Sequence, residues 1–349
     1  MRVDYKITEN KILKILYSPN YNYIFNKKNG MFARWGNTKE DDPTTAPANE
    51  ILDIEVTNIC KGPGPGNIPC PFCYKSNLPT NTKNMSFETF KIIIDKMKEH
   101  NVINQLAFGL DAQCESNPDI WAMAEYARSV GIIPNVTVAD ISDDVADKLV
   151  NVMGAVAVSR YADKNYCYNS VKKLVDRGLQ QTNIHALISS ETIDQVKETI
   201  RDYYIDPRLK GMNAIVFLSL KQKGRGEKFN RVSDEQFKEI VDLAFELKVP
   251  VGFDSCGCGK FLNSVKDRDN YKELEMLAEP CESSLFSAYI DVDGKFFPCS
   301  FTGGTDDWHE GIDVVSCSDF VKDIWHHPRV EAFRENLIGC GRKCPIYSI

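Results

Sequence analysis

The sequence predicts an α/β fold, in which a parallel sheet covered by helices is preceded by a small N-terminal β element and followed by a loop-rich C-terminal extension. Strand and helix signals alternate from residue 51 to about 253, in six or seven βα units. The strands are almost entirely apolar, which is typical of parallel strands that are buried on both faces. Beyond this point cysteines, glycines and turns replace the alternation. We therefore expect three parts, residues 1–50, 51–253 and 254–349.

The N-terminal part carries the signals of a small antiparallel β element. Apolar runs at 11–17 and 21–25 are followed by an Asn-Gly pair at 29–30 and by a third run at 31–35. An Asn-Gly pair between apolar runs favours a hairpin turn. A polar linker with prolines, residues 36–47, then leads to the first strand of the α/β part.

The elements of the alternating part follow from periodicity and capping residues. Ser86 can cap a helix whose apolar residues recur at steps of three and four, and Gly131 and Gly178 can end two later helices. The expected strands are 51–57, 103–108, 133–138, 155–158, 182–188, 214–218 and 249–253, and the further helices are 118–130, 142–150, 168–176, 191–203 and 233–247. Such a sheet forms either a doubly wound open sheet or a full or partial barrel. In either form, ligands bind beyond the carboxyl ends of the strands.

Two weaker elements are expected in the C-terminal part. Asp293-Gly294 lies between apolar runs and predicts a β-hairpin, and a short helix is expected at about 329–336. The part is otherwise too rich in loops to be held together by apolar burial alone, so a metal centre is a reasonable source of stability.

Composition and charge limit the kinds of partner. The chain has 349 residues, 43% of them hydrophobic, and a net charge of −7. This charge gives no electrostatic reason to expect binding to nucleic acid. No run of 18 apolar residues is present, and the first ten residues lack the apolar core of a signal peptide. We expect a soluble cytoplasmic protein with small-molecule or protein partners and no membrane association.

Three of the twelve cysteines lie in a loop that directly follows the first expected strand. These are Cys60, Cys70 and Cys73, and the Gly-Pro-rich segment 62–66 between the first two can continue neither a helix nor a strand. In a cytoplasmic chain, clustered cysteines indicate metal or redox ligands. Three thiolates leave one metal position open for a reacting molecule, whereas a closed site has four protein ligands. The alternative is a structural zinc site with a distant fourth ligand.

A second group of cysteines lies in the last hundred residues. Its members are Cys256, Cys258, Cys281, Cys299, Cys317, Cys340 and Cys344. We interpret this group as a second, separate cysteine-rich site. For Cys281, Cys299 and Cys344 the alternatives to a cluster are zinc or plain buried thiols. Cys114 and Cys167 are isolated, and we expect both to be buried small hydrophobic residues.

The two cysteine groups resemble those of the radical S-adenosylmethionine (radical SAM) superfamily. The first loop, in which a Cys-x-x-Cys pair is followed by Tyr74, is similar to the cluster loop of that superfamily. Cys281, twelve residues, Gly294, four residues and Cys299 resemble the start of an auxiliary-cluster extension of the SPASM or twitch type. The resemblance covers about residues 51–349 and implies a (β/α)6-type partial TIM barrel. One departure is the nine residues between Cys60 and Cys70, where the family usually has three.

The resemblance implies an enzyme and its cofactors. Cys60, Cys70 and Cys73 would be the catalytic cysteines, holding a [4Fe–4S] cluster whose fourth iron binds SAM. Reductive cleavage of SAM would give a 5′-deoxyadenosyl radical that abstracts hydrogen from a peptide or protein substrate, as in crosslinking or epimerisation of ribosomally made peptides. A ferredoxin or flavodoxin would be the reductant. The alternative is a non-catalytic binding or electron-transfer protein held together by zinc or an Fe–S cluster.

The resemblance also implies ligands for a second cluster. One auxiliary cluster is expected rather than two, because few cysteines remain near the end of the chain. Its implied ligands are Cys281, Cys299 and Cys344, with Cys256 or Cys340 as the fourth.

SAM contacts are carried over position by position. The implied SAM-binding residues are Phe72, Tyr74, Gly109, Asp111, Ser159, Arg160 and Leu218. Asp111 stands where the family usually has the Glu of Gly-Gly-Glu, and the guanidinium of Arg160 suits the SAM carboxylate. Segment 221–226 is expected to contact SAM or substrate. The alternatives are a helix-cap role for Asp111, a surface role for Ser159 and Arg160, and a solvated Arg225. His185 lies in an apolar strand pattern, and we expect it to be an interior histidine and not a catalyst.

Overall fold

The computed structural model describes residues 5–38 and 43–349, which contain two sheets. Residues 1–4 and 39–42 belong to the predicted N-terminal element and linker and lie outside the described residues. The smaller sheet is antiparallel and consists of β1 Lys6–Glu9, β2 Leu13–Tyr17, β3 Asn22–Asn26 and β4 Phe32–Trp35, in that order. The predicted hairpin between β3 and β4 is confirmed. Strand β1 was not expected, because its sequence is mostly polar.

The larger sheet has ten strands, of which seven are consecutive parallel strands. These are β5 Ile51–Glu55, β6 Gln105–Gly109, β7 Ile133–Val138, β8 Ala155–Ser159, β9 Thr182–Ile188, β10 Ala214–Ser219 and β11 Val251–Phe253. Each pairs with the next in register, and β11 is an edge strand. The predicted parallel α/β architecture is confirmed.

Six helices connect these strands. They are α1 Phe87–Lys98, α2 Ile120–Ser129, α3 Asp143–Val152, α4 Lys164–Asp176, α5 Ile193–Ile205 and α6 Asp234–Glu246. Ser86 caps α1 as predicted, since its hydroxyl accepts a hydrogen bond from the Thr89 amide at 3.1 Å. The apolar faces of the helices are buried, as Phe90 and Ile94 of α1 show. None of the described helices has the length and apolar character needed to cross a membrane.

The C-terminal part continues the same sheet. Strand β12, Ser287–Ile290, pairs in parallel with β5 and places Tyr289 opposite Asp53. The predicted hairpin follows, with β13, Lys295–Phe297, antiparallel to β12. The further elements are α7 Cys258–Val265, α8 Tyr271–Met276, β14 Ile312–Asp313, a π-helical turn at Phe320–Trp325 and α9 Pro328–Gly339. The short helices α7 and α8 were not expected. The division of the chain at residue 254 stays a prediction.

Arg34 joins the small sheet to the C-terminal part. Its guanidinium donates to Glu50 at 2.8 and 2.9 Å, to Glu279 at 3.0 Å and to Glu282 at 2.6 Å. The guanidinium carbon also lies 3.9 Å from the centroid of the Phe286 ring. The Arg34 and Glu50 side chains are only 6% and 1% exposed, so this ion pair is shielded from water.

We expect the Arg34→Met variant to have a markedly lower free energy of unfolding. Removal of one partner leaves a buried, uncompensated charge, which typically costs about 3–5 kcal/mol. Urea unfolding under anaerobic conditions measures the change. Lys148→Met is the control, because that lysine and its partner Asp144 are 44% and 70% exposed and the pair contributes less than about 0.5 kcal/mol. Equal effects of the two substitutions would contradict the expectation.

Candidate active site

A cavity of about 480 Å³ lies at the carboxyl ends of the parallel strands. All three cysteines of the first loop border it, as the sequence predicts. Of the seven expected SAM-binding positions, six also border it, namely Phe72, Tyr74, Gly109, Asp111, Ser159 and Leu218. The cavity therefore brings together nearly all of the residues that the sequence singled out.

Two of the three sulfurs of the first loop accept backbone hydrogen bonds. The Cys60 sulfur accepts from the amides of Gly62 and Ala112, and the Cys73 sulfur from those of Lys75 and Asn77. The Cys70 thiol donates to the Cys73 sulfur, which lowers the pKa of Cys73 to about 6 and raises that of Cys70. Amide hydrogen bonds to sulfur are among the features that tune iron–sulfur sites.

This donor set fits a [4Fe–4S] cluster. Within residues 5–38 and 43–349, no three His, Cys, Asp or Glu side chains are placed to hold a single metal ion. A cluster is larger than an ion, and its thiolate ligands border a space instead of meeting at a point. Cys60, Cys70 and Cys73 border such a space, and they leave one corner of a four-iron cluster without a protein ligand.

The Gly-Pro-rich insertion packs on the rim of the sheet. Gly62 and Gly64 have φ angles of +74° and +75°, and a Cβ on Gly62 would lie 1.9 Å from the Ile68 carbonyl oxygen. The Gln113 side chain donates to the carbonyls of both glycines at 3.2 and 3.3 Å, and the Gly64 amide donates to Asp140 at 3.1 Å. Residues 61–69, all of them described, do not border the cavity. The insertion thus contacts the loops after β6 and β7 and does not form part of the cavity wall.

Segment 221–226 braces the cysteine loop from the other side. The Arg225 guanidinium donates to the carbonyls of Cys70 at 2.9 Å and Asn77 at 3.2 Å, and its amide donates to that of Cys73 at 3.1 Å. Gly224 has φ +56°, and a Cβ there would lie 2.5 Å from the Tyr74 carbonyl oxygen. Arg225 is therefore not a solvated loop charge. It holds the backbone that carries the cysteines.

Asp111 borders the cavity, but its carboxylate caps its own loop. One oxygen accepts from the amides of Glu115 at 3.1 Å and Ser116 at 3.0 Å, and the other accepts from Gln113 at 3.3 Å. These contacts lie within a loop, and Asp111 is not a helix cap, because the next helix begins only after Asp119. Gly109 is needed for close packing, because a Cβ there would lie 3.1 Å from the Cα of Glu55.

Arg160 does not border the cavity, contrary to expectation. Its guanidinium donates to Glu198 at 2.6 Å and to Thr199 at 3.2 Å, both on α5. Ser159, just before it, faces the cavity, and successive side chains of an extended chain point to opposite faces. Arg160 therefore points into the helix layer, whereas Tyr161 borders the cavity and stacks on Phe72 with ring centroids 5.6 Å apart.

A second cavity of about 290 Å³ is bordered by four cysteines, Cys256, Cys281, Cys299 and Cys344. The Cys344 sulfur accepts from the Tyr347 amide at 3.3 Å. Burial raises the pKa of Cys299 to about 11. Four thiols around one space are the donor set of a fully ligated cluster. Cys340 lies elsewhere, with its thiol donating to the carbonyls of Leu337 and Lys343, so the geometry favours Cys256 over Cys340 as the fourth member.

The two cavities share one wall. The residues that border both are Asp53, Lys221, Asp254, Tyr289, Ser300 and Phe301. Tyr74, which follows Cys73, stacks on Phe301 with ring centroids 4.1 Å apart, and Phe301 lies two residues after Cys299. The two cysteine sites are therefore neighbours. Asp53 faces the shared space, where burial and the nearby Glu282 raise its pKa to about 6.

Comparison with solved structures identifies the fold. SuiB from Streptococcus suis bound to S-adenosylmethionine matches with a TM-score of 0.71 at 11% identity, over 94% of this chain and 90% of that chain. SuiB bound to its precursor peptide SuiA matches with a TM-score of 0.69 at 11% identity, over 95% and 90%. The structure of anSMEcpe with bound AdoMet gives 0.56 at 13% identity, over 81% and 82%. The chain has the radical SAM fold. No protein-family model and no curated protein sequence matches it.

The predicted partial TIM barrel is thus confirmed. Several residues that border the first cavity were not predicted from the sequence. Lys75 donates to the Tyr289 hydroxyl at 2.6 Å and pairs with Glu55 at 2.9 Å, while that hydroxyl donates to Glu55 at 3.0 Å. The sequence around residue 55 offers one sign of this cluster, which is a glutamate within an otherwise apolar strand. Tyr289 could not be linked to it, because this tyrosine lies on β12, far along the chain. His185 also borders the cavity, and burial lowers its pKa to about 4.

The contact of Gly224 and Arg225 with the cysteine loop can be tested by Gly224→Ala. A Cβ there would press on the carbonyls of Tyr74 and Cys73, so we expect the loop to loosen. Iodoacetamide should then label Cys73 of the metal-free protein several-fold faster, as measured by peptide mass spectrometry. Gly259→Ala is the matched control, because no atom lies within 4 Å of a Cβ at that position. Equal labelling in both variants would speak against the brace.

Proposed function

We propose that the chain is a radical SAM enzyme that acts on a peptide or protein substrate. The observation that carries this proposal is the cavity at the carboxyl ends of the strands, bordered by Cys60, Cys70 and Cys73. Open parallel sheets and barrels bind their ligands at this edge. The similarity to two SAM-bound structures, SuiB and anSMEcpe, supports SAM as the co-substrate.

The three cysteines would hold a [4Fe–4S] cluster with one iron free for SAM. When bound, this cluster supplies the electron that cleaves SAM to methionine and a 5′-deoxyadenosyl radical, which abstracts hydrogen from the substrate. The chain contributes the backbone hydrogen bonds to sulfur and the contacts of Arg225 and Gln113 that fix the loop. Such prior positioning is a requirement for a precise site.

The walls of the cavity suit a reaction that must exclude water. Phe72 stacks on Tyr161 and meets Phe229 edge to face at 5.8 Å, so one side of the cavity is aromatic. The carboxylate of Glu55, which also borders the cavity, is buried, accepts a hydrogen bond from the Tyr289 hydroxyl and forms an ion pair with Lys75. These residues would shield a reactive species from solvent and from the wrong C–H bonds.

A peptide substrate is supported by the match to SuiB in complex with the precursor peptide SuiA, which covers 95% of this chain. Cys256, Cys281, Cys299 and Cys344 would hold one auxiliary cluster beside the substrate, separated from the SAM cavity by the shared wall. This cluster would ligate the substrate or accept the electron left after hydrogen abstraction. Crosslinking and epimerisation of a ribosomally made peptide are the reactions we favour. A cytoplasmic ferredoxin or flavodoxin would be the reductant.

Reductive SAM cleavage is the first test. With dithionite and SAM under anaerobic conditions, we expect the protein to release 5′-deoxyadenosine, measured by liquid chromatography and mass spectrometry. Cys60→Ala should abolish this release, because it removes a ligand of the first site. Cys317→Ala should retain it, because Cys317 borders neither cavity. The proposal would be contradicted if the unaltered protein released no more 5′-deoxyadenosine than Cys60→Ala.

Iron content tests the second site. Two four-iron clusters correspond to about eight irons per chain after anaerobic reconstitution. We expect Cys256→Ala to lose about half of the iron and sulfide, and Cys340→Ala to keep nearly all of it, because only Cys256 borders the second cavity. The opposite result would make Cys340 the fourth ligand. Zinc without iron in all variants would favour a non-catalytic protein held together by zinc.

A further inference from the structure

The segment Lys221–Gly226 contacts both cysteine sites. Its Gly224 and Arg225 lie against the loop of Cys70 and Cys73. The two lysines of the segment, Lys221 and Lys223, contact residues of the C-terminal part. Lys223 donates to the carbonyls of Phe301 at 2.9 Å and Gly303 at 2.6 Å, in the loop after Cys299.

Lys221 reaches the second site itself. Its side chain is only 6% exposed and borders both cavities. The ammonium forms an ion pair with Asp254, lies 5.0 Å from the centroid of the Phe301 ring and donates to the Cys256 sulfur. A buried ammonium therefore lies directly against one of the four thiols.

Asp254 connects this charge to the position of Cys256. Its carboxylate accepts from the Ser219 hydroxyl at 3.0 Å and from the Gly257 amide at 3.0 Å. It thereby caps the short 3-10 helix Ser255–Gly257, which carries Cys256. The Lys221–Asp254 pair thus fixes Cys256 to the end of β10 and places one positive and one negative charge beside it.

We propose that Lys221 is a positioning residue that sets the reduction potential of the second cysteine site. This inference rests on the proposed function, because it requires a cluster on Cys256, Cys281, Cys299 and Cys344. Reduction adds one electron, supplied by dithionite or a ferredoxin, and neither forms nor breaks a bond. A fixed positive charge in a medium of low dielectric constant stabilises the more negative reduced state. Removing that charge lowers the potential, and removing the opposing carboxylate raises it.

The experiment isolates the second site. In a background with Cys60, Cys70 and Cys73 replaced by alanine, the only remaining cluster is the auxiliary one. Iron and sulfide are measured first, and the midpoint potential is then measured by a redox titration followed by electron paramagnetic resonance. For Lys221→Met we expect full iron content and a reduced-to-oxidised ratio about tenfold lower at the original midpoint, which is 59 mV for one electron.

Three further variants separate charge from structure. Lys221→Arg keeps the charge, and Lys238→Met removes a surface charge, so both should leave the midpoint nearly unchanged. Asp254→Asn keeps the ammonium and removes its counter-charge, so the midpoint should rise. A merely structural pair would not give shifts of opposite sign.

The possible failures are distinguishable. Full iron content with an unmoved midpoint in Lys221→Met overturns the inference and leaves the proposed function intact. Loss of iron in both Lys221→Met and Asp254→Asn also overturns it, in favour of a purely structural pair. If Lys221→Met alone loses iron, the midpoint potential of Asp254→Asn is the test: a rise supports the inference, and an unchanged or lower midpoint overturns it. Absence of iron in the background protein overturns the auxiliary cluster and with it the inference.

Discussion

The parallel pairing of β12 with β5 is the constraint on which the arrangement of the two cysteine sites depends. Strand β5 leads into the loop of Cys60, and the hairpin of β12 and β13 leads into Cys299. Because β13 runs antiparallel to β12 and β5, Cys299 follows its strand beside the amino ends of β12 and β5, whereas the Cys60 loop follows the carboxyl end of β5. The two cavities meet along the paired strands that lie between these two loops. Register places Tyr289 opposite Asp53, and both residues border both cavities. A change of register by one residue would turn Tyr289 away from this space.

The sequence signals that predicted the fold are local. The contacts that could not be predicted join residues that are far apart in the chain. A capping serine such as Ser86, or an apolar run between glycines, reports on its own few neighbours, so the seven βα strands could be recognised. The hydrogen bond from Tyr289 to Glu55 joins residues 234 positions apart, and no pattern in either segment predicts it. The hydrogen bonds of Arg225 to the backbone of the cysteine loop escaped prediction for the same reason.

The site shows a second limit, which is direction. Arg160 has the chemistry that a SAM carboxylate requires, but one step along an extended chain reverses the side-chain direction, and Tyr161 faces the cavity instead. The choice between Cys256 and Cys340 was open because spacing along the chain does not determine which thiol meets the other three. The residue types therefore indicated the kind of chemistry at both sites. Only the fold shows which individual residues border each cavity.

The enlarged cysteine loop owes its position mainly to contacts with its backbone. Gln113 holds the carbonyls of Gly62 and Gly64 from one side, and Arg225 holds that of Cys70 from the other. Contacts to backbone carbonyls do not depend on the side chains of the loop, so the sequence of the loop can vary while its cysteines stay in place. The requirement instead falls on the two donors and on the glycines at positive φ, where a side chain would strain the backbone. The Gly-Pro-rich segment can therefore lie outside the cavity while all three thiols border it.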